Sequence, residues 1–177
     1  VLNVLNGRWS TLSNWRANCY ETLQGSIYFG SMDGYVYQGD TGGTDDGMAF
    51  SAAYLSQASP AGQFGQRATA NMAHMFFRAN TKPSVLLFAR ADDNKDIPTF
   101  SAVSEGDTTA SEWDVGLWGT AIWDGVTMLN RYAFRQNVRA SGDMLAVGCV
   151  VTSGGTVKLD LEVDLATLQV GVGEASA

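Results

Sequence analysis

The amino-terminal part of the chain sets short apolar groups between turn residues and never sustains a helical period. Residues 1–5 form one such group, Asn6-Gly7 turns the chain, and Arg8-Trp9 returns it. A crossing loop that carries Trp15 follows, then a strand at residues 19–22 that runs into the stretch QGSIYFGSMDGYVYQGDTGGTDDG at residues 24–47. Within that stretch Gln24-Gly25 is a turn, residues 26–30 a strand, residues 32–34 a second turn and residues 35–39 the returning strand. Asp33-Gly34 is a strong hairpin signal, because Gly takes the positive φ that a tight two-residue turn demands. About four strands in so short a length have the make-up of one propeller blade. A blade cannot bury both its faces alone, so its neighbours come from sequence before Val1 or from a partner chain, unless these strands join the following sheet.

After residue 47 the elements lengthen. Residues 48–54 read as a strand and 55–66 as a loop containing Pro60. Residues 68–79 then form a long strand, with Ala68, Ala70, Met72, His74 and Phe76 on one face and Thr69, Asn71, Ala73, Met75 and Phe77 on the other. Both faces are partly apolar, which predicts a central strand covered on both sides, with a short helix over residues 71–78 as the alternative. Residues 84–91 contain the apolar run Val85, Leu86, Leu87, Phe88 and belong to the core. Residues 92–112 are polar and read as a long loop of the kind that carries binding or assembly elements. Strands follow at 131–137, 144–152 and 157–163, the last with Val157, Leu159, Leu161 and Val163 alternating against Lys158, Asp160 and Glu162; residues 165–172 are read as its antiparallel partner. The predicted class is all-β. A propeller-blade-like sheet spans residues 1–47, and an antiparallel β-sandwich-like domain spans residues 48–177.

Composition supports this class, since Val, Thr, Tyr, Phe and Trp recur in short groups while Pro is scarce among the 177 residues. The net charge of −7, with positive residues scattered along the sequence, disfavours direct phosphate binding, which needs a basic groove or stripe. Cys19 and Cys149 show no metal spacing and read as buried thiols of a reducing compartment, with a long-range disulfide as the alternative. No apolar run reaches the roughly 20 residues of a membrane span, and no signal peptide is recognised. The start at Val1 reads as a processed product or an excised piece of something longer.

The most unusual local pattern is EWDVGLWGTAIWDG at residues 112–125, where Trp113, Trp118 and Trp123 recur every five residues. That interval sends successive indoles to opposite faces of a strand and turns each by about 140° on a helix, so a wound loop or bulged strand is expected. Indoles among Asp and Gly either plug a core edge or form a stacking platform or interface, and Asp114 and Asp124 accompany them as candidate binding residues. Asp33, Asp40, Asp45 and Asp46 do not match a calcium loop and read as turn residues. His74, the single histidine, has no nucleophile motif near it and reads as a hydrogen-bonded core residue. Asp92-Asp93 reads as a solvated turn. No catalytic residue, metal site or cofactor is assigned, and the chain is not read as an enzyme.

The segments LNGRWSTLSNW, SIYFGSMDGYVYQGDTGGTDDG and EWDVGLWGTAIWDG together resemble the C-terminal part of tailed-bacteriophage virion proteins, the tail tubular or nozzle-type proteins and head-closure components. Such proteins carry propeller-like repeats beside a β-sandwich-like platform. The resemblance covers most of the chain, which is far shorter than a complete protein of that kind. It implies a non-enzymatic subunit of a homo-oligomeric ring at the neck or tail tube, assembled in the host cytoplasm. Its partners would be other virion proteins, with DNA passing without sequence-specific binding; an acidic balance suits a conduit that repels phosphates. The alternative is a carbohydrate-binding β module of a phage tail or cell-surface protein, using Trp113, Trp118 or Trp123 as stacking faces. A hydrolase fragment would need carboxylates clustered in a cleft.

Overall fold

The computed structural model describes residues 2–3, 7–9, 11, 16–39, 41–61, 66–104, 129–153 and 159–172. Every regular element among them is a β-strand. The chain divides into two compact units, Val1–Thr41 and Gly42–Ala177.

In the first unit β1 (Leu2–Asn3) pairs with β2 (Arg8–Trp9), and β3 (Ala17–Leu23), β4 (Ser26–Ser31) and β5 (Val36–Gly39) form a separate antiparallel sheet. The β3–β4 connection is a two-residue turn in which Gln24 (φ 51°) and Gly25 (φ 83°) both have positive φ, the primed geometry whose twist matches that of the strands. The β4–β5 connection is a three-residue turn over residues 32–34, the bounds expected from the sequence, and not a two-residue turn at Asp33-Gly34 alone. Ser31 N–H donates to the Tyr35 carbonyl and Gly34 N–H to the Ser31 carbonyl. A turn over residues 31–34 therefore ends on Gly34 at φ 88°, the usual way a three-residue hairpin restores strand twist.

The second unit contains two sheets. In the larger, β12 (Met144–Ser153) is central. Antiparallel β9 (Val85–Ala91) and the parallel pair β10 (Val103–Ser104) run along one edge of it; β6 (Phe50–Leu55) and β7 (Ser59–Pro60) run along the other. Ser56 bridges the gap between β6 and β7, its N–H donating to the Val147 carbonyl at 2.8 Å and its Oγ accepting from Val147 N–H at 3.0 Å. The smaller sheet is antiparallel, in the order β11 (Asn130–Gly142), β8 (Ala68–Ala79), β13 (Leu161–Val172). Ala73, Met75 and Phe77 of β8 join Val85, Leu87 and Ala89 of β9, Val138 of β11 and Leu145, Val147, Cys149 and Val151 of β12 in one apolar cluster. Phe77 and Phe134 meet edge-on within it at 5.7 Å, a geometry favoured by the ring quadrupoles.

Two departures from simple alternation shape the smaller sheet. On β8 the inward positions are Ala68 and Ala70, then Ala73, Met75, Phe77 and Ala79. The register shifts against both neighbours between Ala70 and Met72, and the irregularity at Asn71 reverses the strand's faces. His74 and Phe76, expected on the same face as Ala68 and Ala70, point outward instead and are half-buried. The strand is central but covered fully on one face only. β13 likewise shifts register between Val163 and Leu165. The chain continues through that bulge as one strand, where sequence periodicity suggested a turn between two strands at residues 157–163 and 165–172.

Of the loop expected over residues 92–112, residues 94–102 are irregular, Val103–Ser104 form β10 instead, and residues 105–112 lie outside the described residues. Asp92 at its start is more than a solvated turn residue. Its N–H donates to the Met144 carbonyl, while its Oδ1 accepts from Asp143 N–H (3.0 Å) and Met144 N–H (3.3 Å). These bonds hold the corner where the chain leaves β11 for β12 in the other sheet. Asp92 also sits at φ 55°, which costs alanine more than it costs Asp or Asn. Asp92→Ala is expected to lower unfolding free energy by about 1–3 kcal/mol, and Asp92→Asn by much less, in urea titration.

Candidate functional site

The five residues singled out from the tryptophan repeat, Trp113, Trp118, Trp123, Asp114 and Asp124, lie outside the described residues. The described residues do assemble two surfaces with recognisable chemistry.

The first is the outward face of the β11–β8–β13 sheet. β11 alternates strictly, so Arg131, Ala133, Arg135, Asn137 and Arg139 all face out. The reversal at Asn71 puts Met72, His74 and Phe76 of β8 beside them. Arg135, His74 and Thr167 lie in one cross-strand row, and Ala133, Phe76 and Leu165 in the next. The Arg131 guanidinium stands 4.6 Å from the centre of the Phe76 ring, and the His74 ring lies 4.4 Å from the same ring. Arg78 is engaged otherwise, binding Glu162 and Asp164, each at 2.9 Å. The Asp164 hydrogen bond, then the charges of Asp164 and Glu162, push the Arg78 pKa up. Both ion pairs are solvent-exposed and add little stability. Among the described residues no carboxylate pairs with Arg131, Arg135 or Arg139.

A guanidinium row with apolar surface between its members suits planar anionic groups, which Arg engages in bidentate fashion. Taken along the sequence the basic residues read as scattered; with β11 running to Gly142, Arg139 joins Arg131 and Arg135 on one strand. The spacing of Arg131, Arg135 and Arg139, each four residues from the next, was the available signal: positions an even number apart share one face of a strand.

The second surface belongs to the β3–β4–β5 sheet. Tyr20, Phe29 and Tyr37 are direct cross-strand partners and form an aromatic ladder with ring centres 6.3 and 5.5 Å apart. Tyr35 adds an edge contact to Tyr37 at 6.4 Å. The Asp33 carboxylate accepts from Tyr35 N–H at 3.1 Å and from the Tyr37 hydroxyl at 2.9 Å. The backbone bond, then the tyrosine bond, hold its pKa below the usual 3.8.

His74 is not the hydrogen-bonded core residue expected. Its ring faces outward against Phe76, and no hydrogen bond joins that ring to the described residues. The two cysteines differ as well: both are free, Cys149 buried and Cys19 exposed rather than buried. Burial pushes the Cys149 thiol up to about 11 from 9.0, opposed by a hydrogen bond with the Tyr54 backbone. A thiol-specific reagent is expected to label Cys19 rapidly and Cys149 only on unfolding. Because the folded pKa is raised, this group's contribution is intact below the ordinary thiol value and is lost as pH climbs toward 11. Urea titrations across that range will show the loss in the wild type and not in Cys149→Ala. Among the described residues no group of three or more His, Cys, Asp or Glu is placed to hold a metal ion, and no helix is long and apolar enough to cross a membrane.

The sequence matches no protein-family model, and comparison with curated proteins and with solved structures likewise finds no match.

Proposed function

We propose that this chain is a non-enzymatic structural subunit of a tailed-phage virion, placed at the neck or tail tube in a ring-like homo-oligomer through which DNA passes. The observation that carries the reading is the state of the β3–β4–β5 sheet. Tyr20 is 59% exposed on one face, and Leu23 at 60% and Val36 at 75% are exposed on the other. Apolar exposure on both sides of a small sheet is what an assembly subunit leaves for its neighbours. In this reading the three strands belong to a propeller blade completed by further copies or further sequence. In the same reading the two sheets of the second unit form the sandwich-like platform. The sequence resemblance supports the phage assignment, and the acidic net charge suits a conduit wall that does not bind phosphates.

Sedimentation velocity of the purified chain and mass spectrometry of purified virions test this. A ring-sized species and the chain's presence in particles are expected; a free monomer that is absent from virions overturns the reading.

A carbohydrate-binding module is the second reading, and the Tyr20–Phe29–Tyr37 ladder favours it, because aromatic rows also stack sugar rings, the Phe29 and Tyr37 planes here lying within 24° of each other and Tyr20 tilted by 44°. Titration of intrinsic fluorescence with a glycan panel separates the two. A saturable response that Phe29→Ala abolishes supports sugar binding, and an unchanged spectrum removes it.

A further inference from the structure

We propose that the outward arginine row of β11 is the surface by which one copy of this chain docks on the next, and that its complement is an acidic corner of the same chain bearing Asp93, Asp96 and Asp143. The inference rests on the reading of the chain as a self-assembling subunit and names the contact that would build the assembly.

Three features of the row argue for a protein partner. Arg135 stands about 13 Å from both Arg131 and Arg139, the span of four residues in a strand, and the two outer arginines are about 26 Å apart. Discrete carboxylates fit that spacing better than a continuous phosphate track. Beside the arginine edge lie Ala133 on β11 and, across the sheet in the same row, Phe76 and Leu165, the last 48% exposed, so the charged edge borders apolar surface, as at protein–protein contacts. In addition, a chain of net charge −7 repels nucleic acid at long range, whereas it presents abundant negative surface to a cationic face of its own kind.

The acidic corner is held rather than loose. The bonds from Asp92 Oδ1 to Asp143 N–H and Met144 N–H fix the exit from β11. Asn94 N–H donates to the Ala91 carbonyl, Asn94 Oδ1 accepts from Asp96 N–H at 2.8 Å, and Arg90 Nε donates to the Asp96 carbonyl at 2.6 Å. The backbone around Asp93, Asp96 and Asp143 is therefore fixed while their carboxylates stay exposed, with Lys95 the cation of the same loop. A contact between two different surfaces of one chain is repeated by each successive copy, and it closes a ring when the rotation permits.

The test is a charge exchange read by sedimentation velocity on the full chain. Variant one carries Arg131→Glu, Arg135→Glu and Arg139→Glu; variant two carries Asp93→Lys, Asp96→Lys and Asp143→Lys. Each alone is expected to self-associate about 100-fold more weakly than the wild type. An equimolar mixture is expected to recover association to within about tenfold, because each variant then meets opposite charge on the other. Association of the wild type should weaken in about 1 M salt, where the Debye length falls to roughly 3 Å. A triple Arg→Gln variant with unchanged near-ultraviolet circular dichroism keeps the result readable if the Glu variant does not fold. Wild-type-like association of a folded arginine variant overturns the contact and leaves the assembly reading standing. A wild type that stays monomeric at every salt concentration overturns both. Failure of the mixture to recover overturns the pairing with the acidic corner. A labelled DNA duplex held by the wild type and released by the arginine variant overturns it in favour of nucleic acid.

Discussion

Replacing Gly148 with alanine is expected to cost at least about 3 kcal/mol of unfolding free energy, the largest effect of any single-methyl change in the described chain. Gly148 is at the middle of β12, between β6 and β9. A Cβ there would fall 2.7 Å from the Tyr54 carbonyl oxygen and would run into the Phe88 ring that lies across the glycine. Phe88 is itself buried, with the Arg90 guanidinium 4.9 Å from its centre, so the ring has little room to withdraw. β12 is covered on both faces, and close-packed interiors relax poorly around an added methyl. Adding Phe88→Leu should recover part of the loss but not all, since the Tyr54 carbonyl stays in place. Urea titration of the single and double variants checks both statements; an alanine variant within 1 kcal/mol of the wild type, on the scale of ordinary surface changes, rejects them.

Gln136 is expected to show the next largest effect, at about 2–4 kcal/mol for Gln136→Leu. Its Oε1 accepts from Leu87 N–H at 2.6 Å and its Nε2 donates to the Val85 carbonyl at 3.0 Å. A side chain from β11 thus takes the place of a neighbouring strand along the edge of β9 that turns away from β12. Leucine would leave a backbone donor and acceptor without partners next to the core, and each such group costs on the order of 1–3 kcal/mol. Gln136→Glu gives a pH-dependent version. An ionised carboxylate can accept from Leu87 but has no proton for the Val85 carbonyl, so folding favours its protonated form and raises its pKa. The defect relative to wild type should be small below the unfolded carboxyl value and grow as pH rises through the folded one. A defect independent of pH would reject this account.

The strand framework was legible because turn residues and period-2 runs are local signals. Ala68–Ala79, Val85–Ala91 and Met144–Ser153 come close to the bounds read from their apolar residues. What was illegible depends on partners. The face reversal at Asn71 exists because β11 and β13 both shift register there, and no property of Asn-Met alone announces it. Its consequence was large, for it moved His74 and Phe76 from the interior to the arginine face. The continuation of β13 through Val163 and Leu165 was hidden for the same reason: a bulge resembles a turn to any reading that counts alternation. The roles of Gln136 and of Asp92, which reads locally as a solvated turn residue, are illegible because they are bonds across 49 and 51 residues of sequence. The site picked from sequence, the tryptophan repeat, falls outside the described residues, while the arginine row required knowing that β11 runs on to Gly142.

The bulge in β13 also bears on behaviour at high concentration. Among the described residues nothing pairs with the outer edge of this 12-residue strand, and a long open edge is a template for runaway strand addition between molecules. The break at Val163 and Leu165 splits that edge into two short runs that cannot both stay in register with one straight incoming strand, and Asp164 sits at the split. The same irregularity that breaks the alternation at residues 163–165 therefore disfavours strand addition at this edge.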